Sequence, residues 1–168
     1  MRVRALVWLV GAALVCGCGY RPLRSGLAGH PSIRVVSART SVPGGVAANV
    51  AEELASGARA ELARFGALGG ADASDRLELE IVRLDDASEG ISVIEGRPHA
   101  RGVRVRIVAR GVVSRSASDS WETADVETTE SVAAPADPLA WDVARTAAAR
   151  TLARKAGALV AREVLGVP

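Results

Sequence analysis

Residues 102–113 read GVRVRIVARGVV, and apolar and charged side chains alternate along much of this stretch. Successive side chains of a β-strand point to opposite faces, so a period of two predicts a strand with one buried and one solvated face. The apolar face carries Val103, Val105, Ile107 and Ala109. The other face carries Arg104, Arg106 and Arg110. We therefore expect the centre of the chain to be a strand that separates a core from a row of arginines.

Charge is segregated on the two sides of the turn that follows this strand. Residues 97–115 hold six arginines and no acid, whereas residues 119–137 hold six acids and no base. If the two stretches form a hairpin, opposed residues have a constant sum of residue numbers. An odd sum of 233 to 235 places Val126 on the apolar face and sets Asp125 and Glu127 beside the arginines. Cross-strand charge pairs of this kind contribute about 0.2–1 kcal/mol each.

The arginine row has two interpretations at this point. In the first, the arginines only pair with the acidic strand. In the second, part of the row binds the phosphate groups of a lipid or glycolipid, because the guanidinium fork matches phosphate oxygens bidentately. The candidate residues for that role are Arg101, Arg104, Arg106 and Arg110. Arg101 and Arg104 face fewer candidate acids than Arg110, so we expect them to be the free pair.

The pattern around this hairpin completes the predicted fold. Alternating residues predict a first strand over 32–42 and a second over 76–84, which continues through a bulge near Ile81 and Val82 toward 91–94. A fourth strand is expected over 121–132. Helical spacing of apolar residues predicts helices over 46–65 and 139–165, the second starting at Asp137 and Pro138. The order β-α-β-β-β-α predicts an α+β two-layer sandwich, with two helices on one face of a four-stranded, mostly antiparallel sheet.

The first residues predict an export signal. Arg2 and Arg4 precede an apolar run over 5–15, which is shorter than the roughly 20 residues that span a bilayer. Cys18 follows the small residue Gly17, as in the lipidation motif of bacterial lipoproteins, whereas Cys16 follows the bulky Val15. We therefore expect a lipoprotein signal peptide over 1–17, a lipidated N-terminus and tether over 18–31, and a single domain over 32–168. A soluble exported protein is the alternative.

Charge and residue spacing argue for binding and against catalysis. Without Arg2 and Arg4 the chain holds 19 basic and 19 acidic residues, so no overall charge attracts nucleic acid. His30 and His99 do not have the spacing of a metal site, and no phosphate loop or nucleophile elbow is present. We expect no enzyme activity, no metal and no cofactor apart from the lipid on Cys18. A hydrolase remains an alternative only if a pocket joins His99 to a serine or a carboxylate.

The sequence beginning Cys18-Gly19-Tyr20 and its order of strands and helices resemble the LPS-assembly lipoprotein family, LptE. The resemblance implies an outer-membrane lipoprotein that assembles and plugs the LPS-translocating β-barrel LptD and binds lipopolysaccharide. Its body would lie on the periplasmic side or within the barrel. Basic residues bind LPS in that family, and Arg104, Arg106 and Arg110 are the positions that match here. The alternative is an accessory lipoprotein that activates peptidoglycan synthases or serves a lipid transporter.

Overall fold

One mixed β-sheet carries two helices on a single face. The computed structural model describes residues 32–42, 47–94, 96–116, 119–133, 135 and 137–167. The elements are β1 Ile33–Thr40, α1 Ala47–Arg64, β2 Asp75–Ile94, β3 Arg97–Ser116, β4 Asp119–Glu122, β5 Val126–Ala133 and α2 Pro138–Leu165. The predicted α+β two-layer sandwich is confirmed. None of the helices within these ranges is both long and apolar enough to cross a membrane.

The strand order is β1-β2-β3-β4, and β5 also pairs with β3. β1 is parallel to β2, because α1 crosses over between them, and the other pairings are antiparallel. β2 and β3 form one hairpin of 20 residues in each strand, much longer than the two strands predicted from the alternation. The predicted bulge in β2 is confirmed, since the register shifts between Ile81 and Arg83.

The predicted fourth strand is two short strands and not one. β4 pairs with β3 so that Val113 lies opposite Trp121, and β5 pairs so that Ala109 lies opposite Val126. The residue numbers of paired positions add up to 234 in the β3–β4 pairing and to 235 in the β3–β5 pairing. The register with β3 therefore shifts by one residue across residues 123–125. Thr123 fills this break, because the Gly111 amide donates to its hydroxyl at 2.9 Å and its own amide donates to the Gly111 carbonyl at 2.9 Å.

Both helices have the ends that their sequences predict. The Asp137 carboxylate accepts a hydrogen bond from the Leu139 amide at 3.0 Å, and Pro138 occupies the first helical position of α2. Gly166 ends α2 in the left-handed conformation, with φ of 64°, which glycine adopts without steric cost. The boundaries of α1 and α2 agree with the predicted ranges to within one residue.

The core lies between the helices and the alternating face of the sheet. Leu54 and Leu62 of α1 and Leu152 and Val160 of α2 are buried against strand residues. These strand residues include Leu77, Leu79, Ile81, Val105 and Ile107. The helical spacing of apolar residues over 139–165 predicts that Leu159 is buried together with Leu152 and Ala156. In the structure Leu159 is only half-buried, and Val160, four residues after Ala156, is fully buried in its place.

The two helices run parallel and touch closely. Arg154 donates to Glu53 at 2.6 Å, and Arg162 donates to Glu61 at 2.6 Å, so paired positions are 101 residues apart at both points. Between them, a Cβ on Gly57 would lie 1.9 Å from the Arg154 carbonyl oxygen. A Cβ on Gly157 would lie 2.0 Å from the Leu54 carbonyl oxygen. Only glycine permits this backbone approach.

This alignment divides the molecule into two ends. Ala47, the first residue of α1, is level with Ala148 of α2, so α2 residues 138–147 extend about 15 Å beyond the start of α1. We call the part where both helices cover the sheet the closed end. The open end consists of α2 residues 138–147 and hairpin residues 82–101, which extend past the last paired residue of β1. Exposed apolar side chains are frequent at the open end: Ile91, Val93, Leu139 and Val143.

Candidate functional site

The predicted arginine row lies on the sheet face opposite the helices. Arg104, Arg106 and Arg110 alternate along β3 with the buried residues Val105, Ile107 and Ala109. The β3–β5 pairing has a sum of 235, inside the predicted range, and it brings Glu127 to this face. The sequence therefore predicted both the face and the register of the β5 arm correctly.

Arg110 stands at the centre of the densest ion-pair network on this face. Its Nε and Nη2 atoms donate to Glu80 Oε2 at 3.2 and 3.0 Å, and its Nη1 atom lies 3.5 Å from Glu122 Oε2. Ser41 Oγ donates to the other oxygen of Glu80, and Arg39 lies 3.5 Å from that carboxylate. Glu80 is buried, so its charge is held by these partners and not by water.

These contacts shift the pKa values of both partners. The Ser41 hydrogen bond, followed by the Arg110 hydrogen bond, holds the pKa of Glu80 below its ordinary value of 4.5. The Glu80 hydrogen bond and the nearby charge of Glu122 raise the pKa of Arg110. Both shifts favour the charged forms of Glu80 and Arg110, and the contacts of these two residues join β1, β2, β3 and β4.

Arg104 and Arg106 are also paired. Arg106 Nη2 donates to Glu127 Oε2 at 2.7 Å, as the hairpin register predicts. Arg104 pairs with Glu89 of β2, so the expectation that Arg104 is free was wrong. Hydrogen bonding to Ser131, followed by the charge of Arg104, lowers the pKa of Glu89. Glu89 was not predicted as the partner of Arg104 because the predicted partners were the acids of residues 119–137, which follow β3. Glu89 belongs to β2, which pairs with the other edge of β3.

Arg101 is exposed, and among the described residues no carboxylate lies within ion-pair distance of it. Its side chain is next to Gly90, where an added Cβ would lie 3.7 Å from Arg101 Cδ. Arg101 is therefore the candidate without a carboxylate partner among the described residues, but its odd position in β3 places it on the sheet face of Val103 and Val105, opposite Arg104. On the arginine face, the side chain of Arg104 is 59% exposed, compared with 39% for Arg106 and 35% for Arg110.

Two polar atoms on this face have no hydrogen-bond partner in the described part of the chain. Asp85 Oδ1 and Arg106 Nε are buried, and their residues lie opposite each other on β2 and β3. The other oxygen of Asp85 accepts from Arg83 Nη2 at 2.7 Å. The arginine face therefore offers donors and acceptors, but its charges are largely balanced within the protein. An anion that binds Arg104, Arg106 or Arg110 has to compete with a carboxylate that is already in place.

The other predicted residues are less informative. Cys18 and the whole tether over 18–31 lie outside the described residues, as does the preceding signal over 1–17. The backbone of His99 pairs with Ser92 in the long hairpin, but their side chains are not described. Across the described ranges, no group of three or more His, Cys, Asp and Glu side chains is arranged to hold a metal ion.

Comparison with known proteins shows the fold. No family model and no curated protein sequence matches this chain. Among solved structures, the chain is similar to rare lipoprotein B from Shewanella oneidensis, with a TM-score of 0.53, 12% identity, and coverage of 80% of this chain and 94% of that one. It is also similar to a minor lipoprotein from Acinetobacter baumannii, with a TM-score of 0.53, 9% identity, and coverage of 82% and 92%. At these identities, the shared property is the α+β architecture.

Proposed function

We propose that this chain is an outer-membrane lipoprotein that assembles and plugs the LPS-translocating β-barrel LptD and takes part in lipopolysaccharide transport. The observation that carries the proposal is the fold, which is the fold of two proteins described as lipoproteins, in a chain that begins with a lipidation motif at Cys18. The order of elements that carried the resemblance to the LptE family is present, with the fourth strand divided into β4 and β5. In this proposal the protein is a binding and assembly subunit and not an enzyme.

The direction of the strands supports an orientation for the anchored protein. β1 begins at the closed end, next to Asp75 and Leu68, so the tether from a lipid on Cys18 joins the domain at the closed end. The hairpin then extends away from the anchor by about 63 Å, the length of 20 residues at the rise of a strand. In this proposal the open end reaches the partner barrel, and tethering raises the local concentration of the domain at the barrel.

LPS binding at the arginine face is the second part of the proposal. Arg104, Arg106 and Arg110 form the row along β3, and Arg104 is the most exposed of the three. Arg101 is also exposed, but its odd position in β3 places it on the other side of the sheet, toward the helices. Arginine pairs with phosphate bidentately, which gives a reason for a phosphorylated glycolipid to bind here. We expect Arg104→Ala with Arg106→Ala to weaken LPS binding more than Arg110→Ala with Glu80→Ala. The second pair leaves Arg104 and Arg106 in place.

The test of the partner is a pull-down of the full chain from outer membranes in mild detergent, with mass spectrometry of the proteins and glycolipids recovered. Recovery of a large β-barrel at equal stoichiometry supports the proposal. Recovery of a peptidoglycan synthase or of a transporter subunit would instead favour the accessory lipoprotein. A Cys18→Ser variant is the matched control, and it should lose palmitate labelling and leave the membrane fraction. Continued labelling of this variant would contradict the lipidation site.

A further inference from the structure

A cavity of about 250 Å³ lies at the open end, between α2 and the sheet. Leu84 and Val105 form its floor on β2 and β3, and Thr146 and Ala149 form its wall on α2. The cavity exists because the α2 side chains here are small and because α1 starts level with Ala148 and does not reach this position. Folded proteins contain few voids larger than a water molecule, so a cavity of this size is a notable feature.

The cavity continues into a groove on the surface of α2. The groove has a volume of about 330 Å³ and shares Asp142 and Thr146 with the cavity. Leu139 and Val143 line it and are 75% and 67% exposed. Leu139 and Val143 lie on the same face of α2 as Arg154 and Gly157, because these positions are separated by steps of seven or eight residues. Arg154 and Gly157 pack on α1. The apolar linings of the groove and the cavity therefore meet at two polar residues, Asp142 and Thr146.

Charged residues also line the cavity: Asp85, Asp142 and Arg145. Arg145 Nη2 donates to Asp86 Oδ1 at 3.2 Å, which ties α2 to β2 beside the cavity. Asp142 lies where the cavity meets the groove, and Arg150 lies at the other end of the groove. Apolar cavities smaller than this one stay dry and bind apolar molecules. A site with a narrow apolar interior and a polar rim suits an amphiphile whose chain is buried and whose head group stays in water.

We propose that the cavity and groove at the open end bind an acyl chain of a membrane lipid. A slender chain fits because the cavity lies beneath α2, between helix and sheet, where a protein helix about 10 Å wide does not fit. The head group stays at the rim beside Arg145 and Arg150. This site is separate from the arginine face, since Leu84 and Val105 belong to the helix-covered side of the sheet. The proposal does not depend on the identity of the partner barrel.

The test uses the full chain in phosphatidylethanolamine vesicles that contain phosphatidylglycerol with a diazirine in the middle of one acyl chain. After irradiation, trypsin cleaves at Arg145 and Arg150, and mass spectrometry locates the label. We expect the label on the peptide 146–150 and, by fragmentation of the tryptic peptide 84–101, on Leu84 and not on Ile91 or Val93 of the same peptide. Ala149→Leu fills the cavity and should reduce labelling of 146–150 at least tenfold. Ala60→Leu, at an exposed position on α1, should leave it unchanged.

Other results would overturn the proposal. Absence of label at both peptides, or equal labelling of the exposed hairpin residues Ile91 and Val93, would show that no acyl chain enters the cavity. If the peptide 146–150 of the Ala149→Leu variant is still labelled, the acyl chain lies outside the cavity. Circular dichroism of each variant shows whether it is folded. If Ala149→Leu unfolds, Thr146→Val with Val143→Asp tests the groove instead, and unchanged labelling in that variant would count against the site. A photo-crosslinker at Val143 that captures a protein would make the groove a protein-docking surface.

Discussion

The closed end and the open end are built from the same sheet and the same helix α2, yet they differ in how completely their apolar surface is covered. At the closed end, α1 and α2 approach until glycine backbones touch, and large side chains such as Leu54 and Val160 are fully buried. At the open end, α2 has no partner helix among the described residues, and Leu139 and Val143 remain exposed. The comparison indicates that the tightest packing lies at one end and exposed apolar surface at the other.

The largest expected effect is at the helix contact of the closed end. Gly157→Ala places a Cβ 2.0 Å from the Leu54 carbonyl oxygen, and neither backbone can move without separating the helices. We expect the free energy of unfolding to fall by about 3 kcal/mol, at the upper end of overpacking costs. Urea unfolding measures it, with the exposed Ser56→Ala as the control, expected within about 0.5 kcal/mol of the parent. A loss below about 1 kcal/mol for Gly157→Ala would show that the helices separate easily.

A second pair of variants compares the two ends directly. Leu54→Ala removes a fully buried side chain and should cost about 2–5 kcal/mol through lost burial and the cavity that remains. Val143→Ala changes a side chain that is 67% exposed and should change stability by less than about 0.5 kcal/mol. Urea unfolding of both variants is the measurement. A large cost for Val143→Ala in the isolated chain would mean that the groove is already covered.

The third prediction concerns pH and the Glu80 network. Because folding lowers the pKa of Glu80 below 4.5, the unfolded chain binds more protons in the acid range. The contribution of Glu80 is therefore present above pH 4.5 and is lost as the pH falls through its folded value. Glu80→Gln should cost about 2 kcal/mol at pH 7, in the range for hydrogen bonds to charged groups. Thermal unfolding between pH 3 and 7 should show a shallower pH dependence in this variant, and an identical slope would contradict the prediction.

The smallest expected effect is the exposed pair Arg106 and Glu127. Their side chains are 39% and 48% exposed, so water screens their attraction. A double-mutant cycle with Arg106→Ala and Glu127→Ala should give a coupling free energy below about 1 kcal/mol. A coupling well above that value would show that the unpartnered Asp85 oxygen and Arg106 Nε belong to one cooperative network.

The sequence predicts what depends on local pattern and misses what depends on distant packing. The strand of residues 102–113, the cap at Asp137 and the odd register with β5 all follow from alternation and turn chemistry. The break at Thr123 does not, because it is set by hydrogen bonds to Gly111 on the neighbouring strand. The ion pair of Arg104 was not predicted for the same reason. Its partner Glu89 lies on β2, and the predicted acidic strand lies along the other edge of β3. No local pattern predicts that Gly57 packs on the backbone of Arg154 or that Gly157 packs on the backbone of Leu54.

The parallel pairing of β1 with β2 has a consequence for the order of folding. β2 and β3 are neighbours in the chain and form a hairpin from local contacts, whereas β1 is paired with residues about 40 positions later. The contacts of α1 with α2 join residues 101 positions apart. Closing such long loops costs chain entropy before the contacts form, which slows folding. The hairpin is thus expected to form first. We expect α1 to pack only later, when α2, at the end of the chain, docks on it.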